Sequence, residues 1–252
     1  MLQKKSAALL AAAMLCLPVT SREAVPAAGT SEATLQYAIE WRLIRAGTAR
    51  LTWNPLREDL RVAKLHLAST GLVSKLFPVD DRYVANFQGE GCPTDIWSLT
   101  NEGDRRRETK ITFDPSARRA SYLEKDLSKN TVLLSTQLTV PECAFDILGG
   151  LHRLREIHLE PGQATQFPVT NGKKLVSARI EAQEREEIKT PLGTFKTVRH
   201  EAFLFNNVLF QRKGRLFIWL TDDERRLPVQ IRVQMQLHIG TVTLSLEKEE
   251  RS

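Results

Sequence analysis

The sequence is poor in the residues and patterns that most often announce a chemistry. It holds three cysteines and five histidines in 252 residues. The histidines are His66, His152, His158, His200 and His238, and no two stand at i, i+2 or i, i+4 spacing. Nothing local therefore asks for a metal. There is no Gly-x-Ser-x-Gly elbow, no phosphate-binding glycine loop and no dinucleotide fingerprint, so no cofactor and no catalytic residue is expected. The acidic pairs Asp80-Asp81 and Asp222-Asp223 lie beside turns. Adjacent strand residues point to opposite faces, so capping and turn roles fit these pairs better than acid–base work. Charge of one sign is also missing. The net charge is +6, and the densest basic run, Arg105-Arg106-Arg107, is followed by Glu108. A nucleic-acid partner is not expected from that pattern.

Long apolar runs are absent too. The longest, Ser6 to Leu17, has about twelve residues where a membrane-spanning helix needs roughly 20. Lys4 and Lys5 precede it, Pro18 breaks it, and the small-residue stretch Val25-Pro26-Ala27-Ala28-Gly29 follows. That layout predicts a secretory signal peptide over residues 1–27, cleaved after Ala27 or after Ser21. An uncleaved anchor is the competing reading. Lipidation at Cys16 is disfavoured because Leu15 stands where a small residue is needed. The expectation is a periplasmic protein whose mature form does not span the membrane, with residues 28–34 as a linker. Export leaves Cys92 and Cys143 as one even pair, and the default for such a pair outside the cytoplasm is a disulfide. It would close a loop of about fifty residues, worth up to roughly 4 kcal/mol.

What the chain does have is period-two alternation. Leu35, Tyr37, Ile39, Trp41 and Leu43 alternate with mostly polar residues, and Ala46-Gly47 follows as a turn candidate. Asn54-Pro55 is expected to end the return strand. A parity shift between Val62 and Leu65 predicts a bulge. Gly71 to Pro78 suits a short helix or an apolar connector. The stretch Asn101 to Asp104 and the Asn171-Gly172 pair mark hairpins, and Pro191-Leu192-Gly193 and Asn206-Asn207 mark turns. Leu216 to Leu220 is apolar on both faces and predicts a strand covered on both sides. Val229 to Ile239 alternates without a slip. Residues 126–142 carry no clear signal. Ala144, Ile147, Leu148, Leu151 and Leu154 fit one face of a helix running to about Glu156, which Gly149-Gly150 weakens. The fold class expected is mainly β. A long antiparallel meander curls into a half-barrel or two packed sheets, with one central helix. Residues 35–248 form a single domain whose two halves meet near 144–156.

Several local patterns then stand in one order. They are Tyr37-x-Ile39-x-Trp41 before Ala46-Gly47, Phe113-Asp114, and Asp146-Ile147-Leu148 leading to Leu154-Arg155. After them come Thr190-Pro191-Leu192-Gly193-Thr194-Phe195, Ile218 through Asp223, and Arg226-Leu227-Pro228-Val229. In these the chain resembles the bacterial exported proteins grouped as domain of unknown function 3108, over roughly residues 35–247. The resemblance implies an exported β-rich domain and supplies no catalytic residue. Trp41, Leu72, Leu76, Phe77, Arg155 and Trp219 are the candidate pocket-lining residues, with Leu72 to Phe77 as a candidate lid. For Arg155 and Trp219 a cap and a core role compete. Two functions are compatible with this reading, and a hydrolase with a loop-assembled site is a weaker third. One is a non-enzymatic holder of a lipid or other apolar small-molecule ligand of the cell envelope. The other is an envelope scaffold that meets a partner protein.

Overall fold

The computed structural model describes residues 33–57, 60–89, 91–235 and 240–251. The expected signal peptide lies outside the described residues, as do the tail of the alternating run at 236–239 and most of the expected linker. Ala33 and Thr34, expected as linker, instead open the first strand.

Alternation in the sequence becomes fourteen antiparallel strands in one sheet. The first eight are β1 (Ala33–Trp41), β2 (Ile44–Arg57), β3 (Leu60–Ser69), β4 (Asp80–Gln88), β5 (Cys92–Glu102), β6 (Arg105–Asp114), β7 (Arg119–Asp126) and β8 (Thr131–Thr139). The rest are β9 (Ala164–Thr170), β10 (Leu175–Thr190), β11 (Gly193–Ala202), β12 (Gly214–Thr221), β13 (Pro228–Met235) and β14 (Thr241–Arg251). Sequence neighbours pair throughout except β8 and β9, and β1 pairs with β14, so the two runs of strands meet edge to edge. The free edges are β8 and β9. A sheet this long must curl. Its β9 side comes round to β6 and β7: a Cβ on Gly172, in the β9–β10 turn, would lie 2.8 Å from Ile111 and Tyr122. Lys173 stands over the Tyr122 ring and pairs with Glu124. The sheet remains open as a half-barrel.

Two helices interrupt the meander. Helix α1 (Gly71–Leu76) joins β3 to β4, and α2 (Ile147–Glu156) carries the chain from one sheet edge to the other. Leu148, Leu151 and Leu154 bury the apolar stripe of α2. The helix begins three residues later than its period predicts. Asp146 takes the N-cap, and Phe145 is extended and bridges Val169 in parallel. Gly149 is a packing necessity as well as a weakness. A Cβ there would lie 2.8 Å from Asp146 Oδ1 and 3.0 Å from Phe87. Just before the helix, Cys143 forms a disulfide with Cys92 at the start of β5.

Three local expectations are corrected. The β1–β2 turn falls at Arg42-Leu43, both with positive φ, and Ala46-Gly47 lies inside β2. Gly47 is required there because a Cβ would meet the Ala68 carbonyl oxygen at 2.3 Å. Asn54-Pro55 does not end β2, which continues to Arg57 across a register shift between Pro55 and Arg57. The bulge expected near Val62 is absent. Strand β3 pairs with β4 without a break from Leu60 to Ala68, and Val62 is buried alongside Ala63 on the opposite face.

Candidate functional site

The inner face of the curled sheet is graded. On β1, Leu35 and Tyr37 are buried while Ile39 is half-exposed; on β13, Val229 is buried while Ile231 and Val233 are half-exposed. The same holds on β14 for Leu246 against Val242 and Leu244, and on β3 for Ala63 against Leu65 and Leu67. One end of the concave face is filled, and the other lines a cavity of about 390 Å³. Helix α2 supplies its floor through Ile147, Gly150, Leu151 and Leu154, and the connection after β11 adds Leu204, Phe205 and Phe210. Apart from Asp146 its walls are apolar side chains and Gly150.

Asp146 is the one lining residue with a polar side chain, and it is fully engaged. Its carboxylate accepts from the Leu148 and Gly149 amides and from the Tyr83 hydroxyl at 2.7 Å. Burial pushes its carboxyl up, and those three donors hold it down in part. This residue caps the helix and ties it to β4.

A second, polar cavity of about 630 Å³ lies at the filled end, between the C-terminus of α2 and the β12–β13 turn. His152, Arg155, Glu156 and His158 face Asp222 to Arg226 across it. Arg155 donates through Nε to the Arg226 carbonyl and through Nη2 to the Arg225 carbonyl, both at 3.1 Å, and its guanidinium stands over the Trp53 ring. Burial lowers the His152 imidazole, opposed by Glu156 and helped by Arg155 and Arg61. Asp222 is held by Arg185, and Asp223 accepts from the Thr221 hydroxyl and two turn amides. No serine, threonine or cysteine lines this cavity. Among the described residues no three His, Cys, Asp or Glu side chains gather as a metal set.

The buried groups nearby include two orphans. Arg226 is 7% exposed, and its Nε and Nη2 find no partner. His200 has no exposed surface. Its Nδ1 lies 3.0 Å from the Val198 carbonyl, and Nε2 is unpaired. Burial, and then the Arg226 charge, push this imidazole down to about 4, so it is neutral.

The structure spreads the six candidate lining residues. Arg155 lines the polar cavity. Trp219 is 2% exposed but faces the convex side, where Nε1 donates to Glu186 and Arg232 covers the ring. Strand β12 is thus covered on both faces as expected, the outer cover being guanidinium groups over Phe217 and Trp219 instead of a second sheet. Trp41 ends β1, exposed, with Arg42 over it. Leu72, Leu76 and Phe77 are exposed on and just after α1 and line neither cavity. The residues that do line the apolar cavity are inward positions of the alternating strands. Their spacing marks them as inward and says nothing about whether the space before them is filled.

No helix among the described residues is long and apolar enough to cross a membrane. No curated protein matches the sequence. Among solved structures, the chain is similar to a crystal structure titled as a beta-barrel-like protein of domain of unknown function DUF1849 from Brucella abortus. The identity is 8% and the TM-score 0.58, over 88% of this chain and 98% of that one. At that identity the likeness concerns the fold alone. The family model described as "Protein of unknown function (DUF3108)" matches residues 36–247, nearly the whole of the sheet, and the chain belongs to that family.

Proposed function

We propose that this protein is an exported, non-enzymatic holder of an apolar chain, such as the acyl part of an envelope lipid, in the open cavity of its curled sheet. The observation that carries the reading is the graded concave face. The same strands that pack solid at one end leave about 390 Å³ of apolar space at the other. That volume falls within the range of ordinary small-molecule sites, roughly 300–1,000 Å³. A chain burying about ten methylenes would gain roughly 8 kcal/mol before ordering costs. Export is supported by the disulfide, which persists in oxidising compartments, and by the three-part N-terminal stretch.

Gly150 offers the test. It lines the cavity from α2, and a Cβ there would meet only Phe167 at 3.5 Å and Val169 at 3.9 Å, ordinary contact distances. Gly150→Leu should fill the cavity while raising helix propensity by about 0.7 kcal/mol. Titration with a fluorescent fatty-acid probe should show saturable binding that the variant loses while remaining folded. A wild-type protein that binds no probe, or a variant that binds as tightly, would remove the reading. N-terminal sequencing of protein recovered from cells tests export, with a start after Ala27 or Ser21 expected.

A further inference from the structure

An antiparallel meander places every second connection at the same end of its sheet. The connections 42–43, 70–79, 103–104, 127–130, 171–174 and 203–213 therefore share one end. It is the end toward which the apolar cavity opens, because Ile39, Leu67, Val233 and Val242 lie nearer to it than their buried strand-mates. It is also where exposed apolar surface collects. Leu43 is 93% and Leu76 77% exposed, and Trp41, Ile44, Leu72 and Phe77 join them. These side chains form one neighbourhood. The Thr70 amide at the root of α1 donates to the Ala46 carbonyl, and Phe77 lies against Gly103. Among the described connections at the opposite end, the exposed large apolar residues are two, Leu192 and Ile147, and Ile147 lines the apolar cavity from α2.

Leu43 is an unusual occupant of its place. Its φ of 67° lies in the left-handed region that turns normally give to glycine or asparagine. A bulky apolar residue there is both strained and exposed, which turn formation does not explain.

The charge of the two ends differs in sign. At the cavity end the connections carry exposed Arg42, Lys75, Lys129, Lys173, Lys174, Arg212 and Lys213, with Asp104 as the one acid. The described connections at the other end, α2 included, carry seven acids, Glu142, Asp146, Glu156, Glu160, Asp222, Asp223 and Glu224, against five arginines. Exposed apolar groups alone would fit many partners. A ring of cations around them fits an anionic bilayer, which attracts each such residue appreciably and accepts the apolar tips between its headgroups.

We infer that this end of the sheet is a docking face for an anionic phospholipid surface. The face deepens the cavity reading by naming where an acyl chain would enter, and it is tested without reference to the cavity. Wild-type protein should co-sediment with vesicles of phosphatidylethanolamine and phosphatidylglycerol, more weakly at high salt, and far less with phosphatidylcholine alone. The pair Leu43→Asn and Leu76→Ser, and separately Arg212→Glu with Lys213→Glu, should each weaken that binding roughly tenfold or more. Leu192→Ser at the opposite end should leave it unchanged. All of these sites are exposed, so circular dichroism should show intact folds. Equal vesicle binding by all variants would place the membrane contact elsewhere in the chain and overturn the inference. So would folded wild-type protein that ignores anionic vesicles, or that crosslinks through this end to a protein without binding vesicles. Loss of vesicle binding with fatty-acid probe binding retained separates this face from the cavity.

Discussion

Removing the Cys92–Cys143 disulfide has a consequence that can be worked out from its position. The bond spans a sequence separation of 51 residues and ties the approach to α2 onto the start of β5. The loop it closes holds β5, β6, β7 and β8, so in the unfolded chain it withdraws the freedom of four strands at once. Closing a loop of that length removes about 14 cal/mol/K of unfolded-state entropy, which is roughly 4 kcal/mol at room temperature. For a chain of this size each kcal/mol shifts the midpoint by about 2–4 °C, so the loss should appear as roughly 8–16 °C in Tm. The clean perturbation is Cys92→Ser with Cys143→Ser, which leaves neither thiol to form a wrong bond. Urea unfolding followed by circular dichroism gives a second readout. The variant's unfolded state is freer and more exposed, so its m-value should rise as its midpoint falls. A double variant within about 1 kcal/mol of wild type would show that the bond restrains nothing that folding does not already restrain, and would refute the reasoning.

Other perturbations follow from buried groups. His200, held down to about 4 against an ordinary value near 6.5, refuses a proton that the unfolded chain accepts. Its contribution is therefore fully present above about pH 6.5 and is lost as pH falls toward 4, by about 3 kcal/mol. Urea midpoints measured across that window should flatten by that amount in His200→Leu, and an unchanged slope would contradict the assignment. Asp146→Ala removes the cap of α2 and strands the Tyr83 hydroxyl, so denaturant unfolding should show a loss of about 2–4 kcal/mol. Gly149→Ala and Gly150→Ala should part company in a thermal melt. The first drives a methyl into Asp146 and Phe87 and lowers Tm, while the second makes ordinary contacts with Phe167 and Val169 and raises it by a few degrees.

How far the fold was legible depended on what each residue type encodes. Alternation marked the strands because one face of a half-buried sheet is apolar, and Asn171-Gly172 fixed its hairpin through the positive φ of Gly172 and the Asn171 side chain, which accepts from the Lys173 and Lys174 amides. Strand β8 was invisible because it is a sheet edge. Val132, Leu133 and Leu134 are exposed on both faces, so no parity arises. Gly47 misled because glycine answers two needs, and here the need is close approach of the Ala68 carbonyl, whereas the turn uses Arg42 and Leu43. Ala144 and Phe145 continue the helical period in sequence, but Phe145 is captured by β9 and the helix waits for the Asp146 cap. The disulfide followed from cysteine parity. The apolar cavity did not follow from anything local, since Ile39 and Tyr37 are both inward apolar residues and the packing beneath them alone decides which is covered.

The central claim is that the open half of the concave face holds an apolar chain. Native mass spectrometry of protein isolated gently from cells that export it reads this directly. The account predicts a mass excess on the wild-type protein that organic solvent releases as an acyl-chain molecule at up to one copy per chain, and its absence from Gly150→Leu. Wild-type protein that carries no such molecule and takes up none from added fatty acid would contradict it.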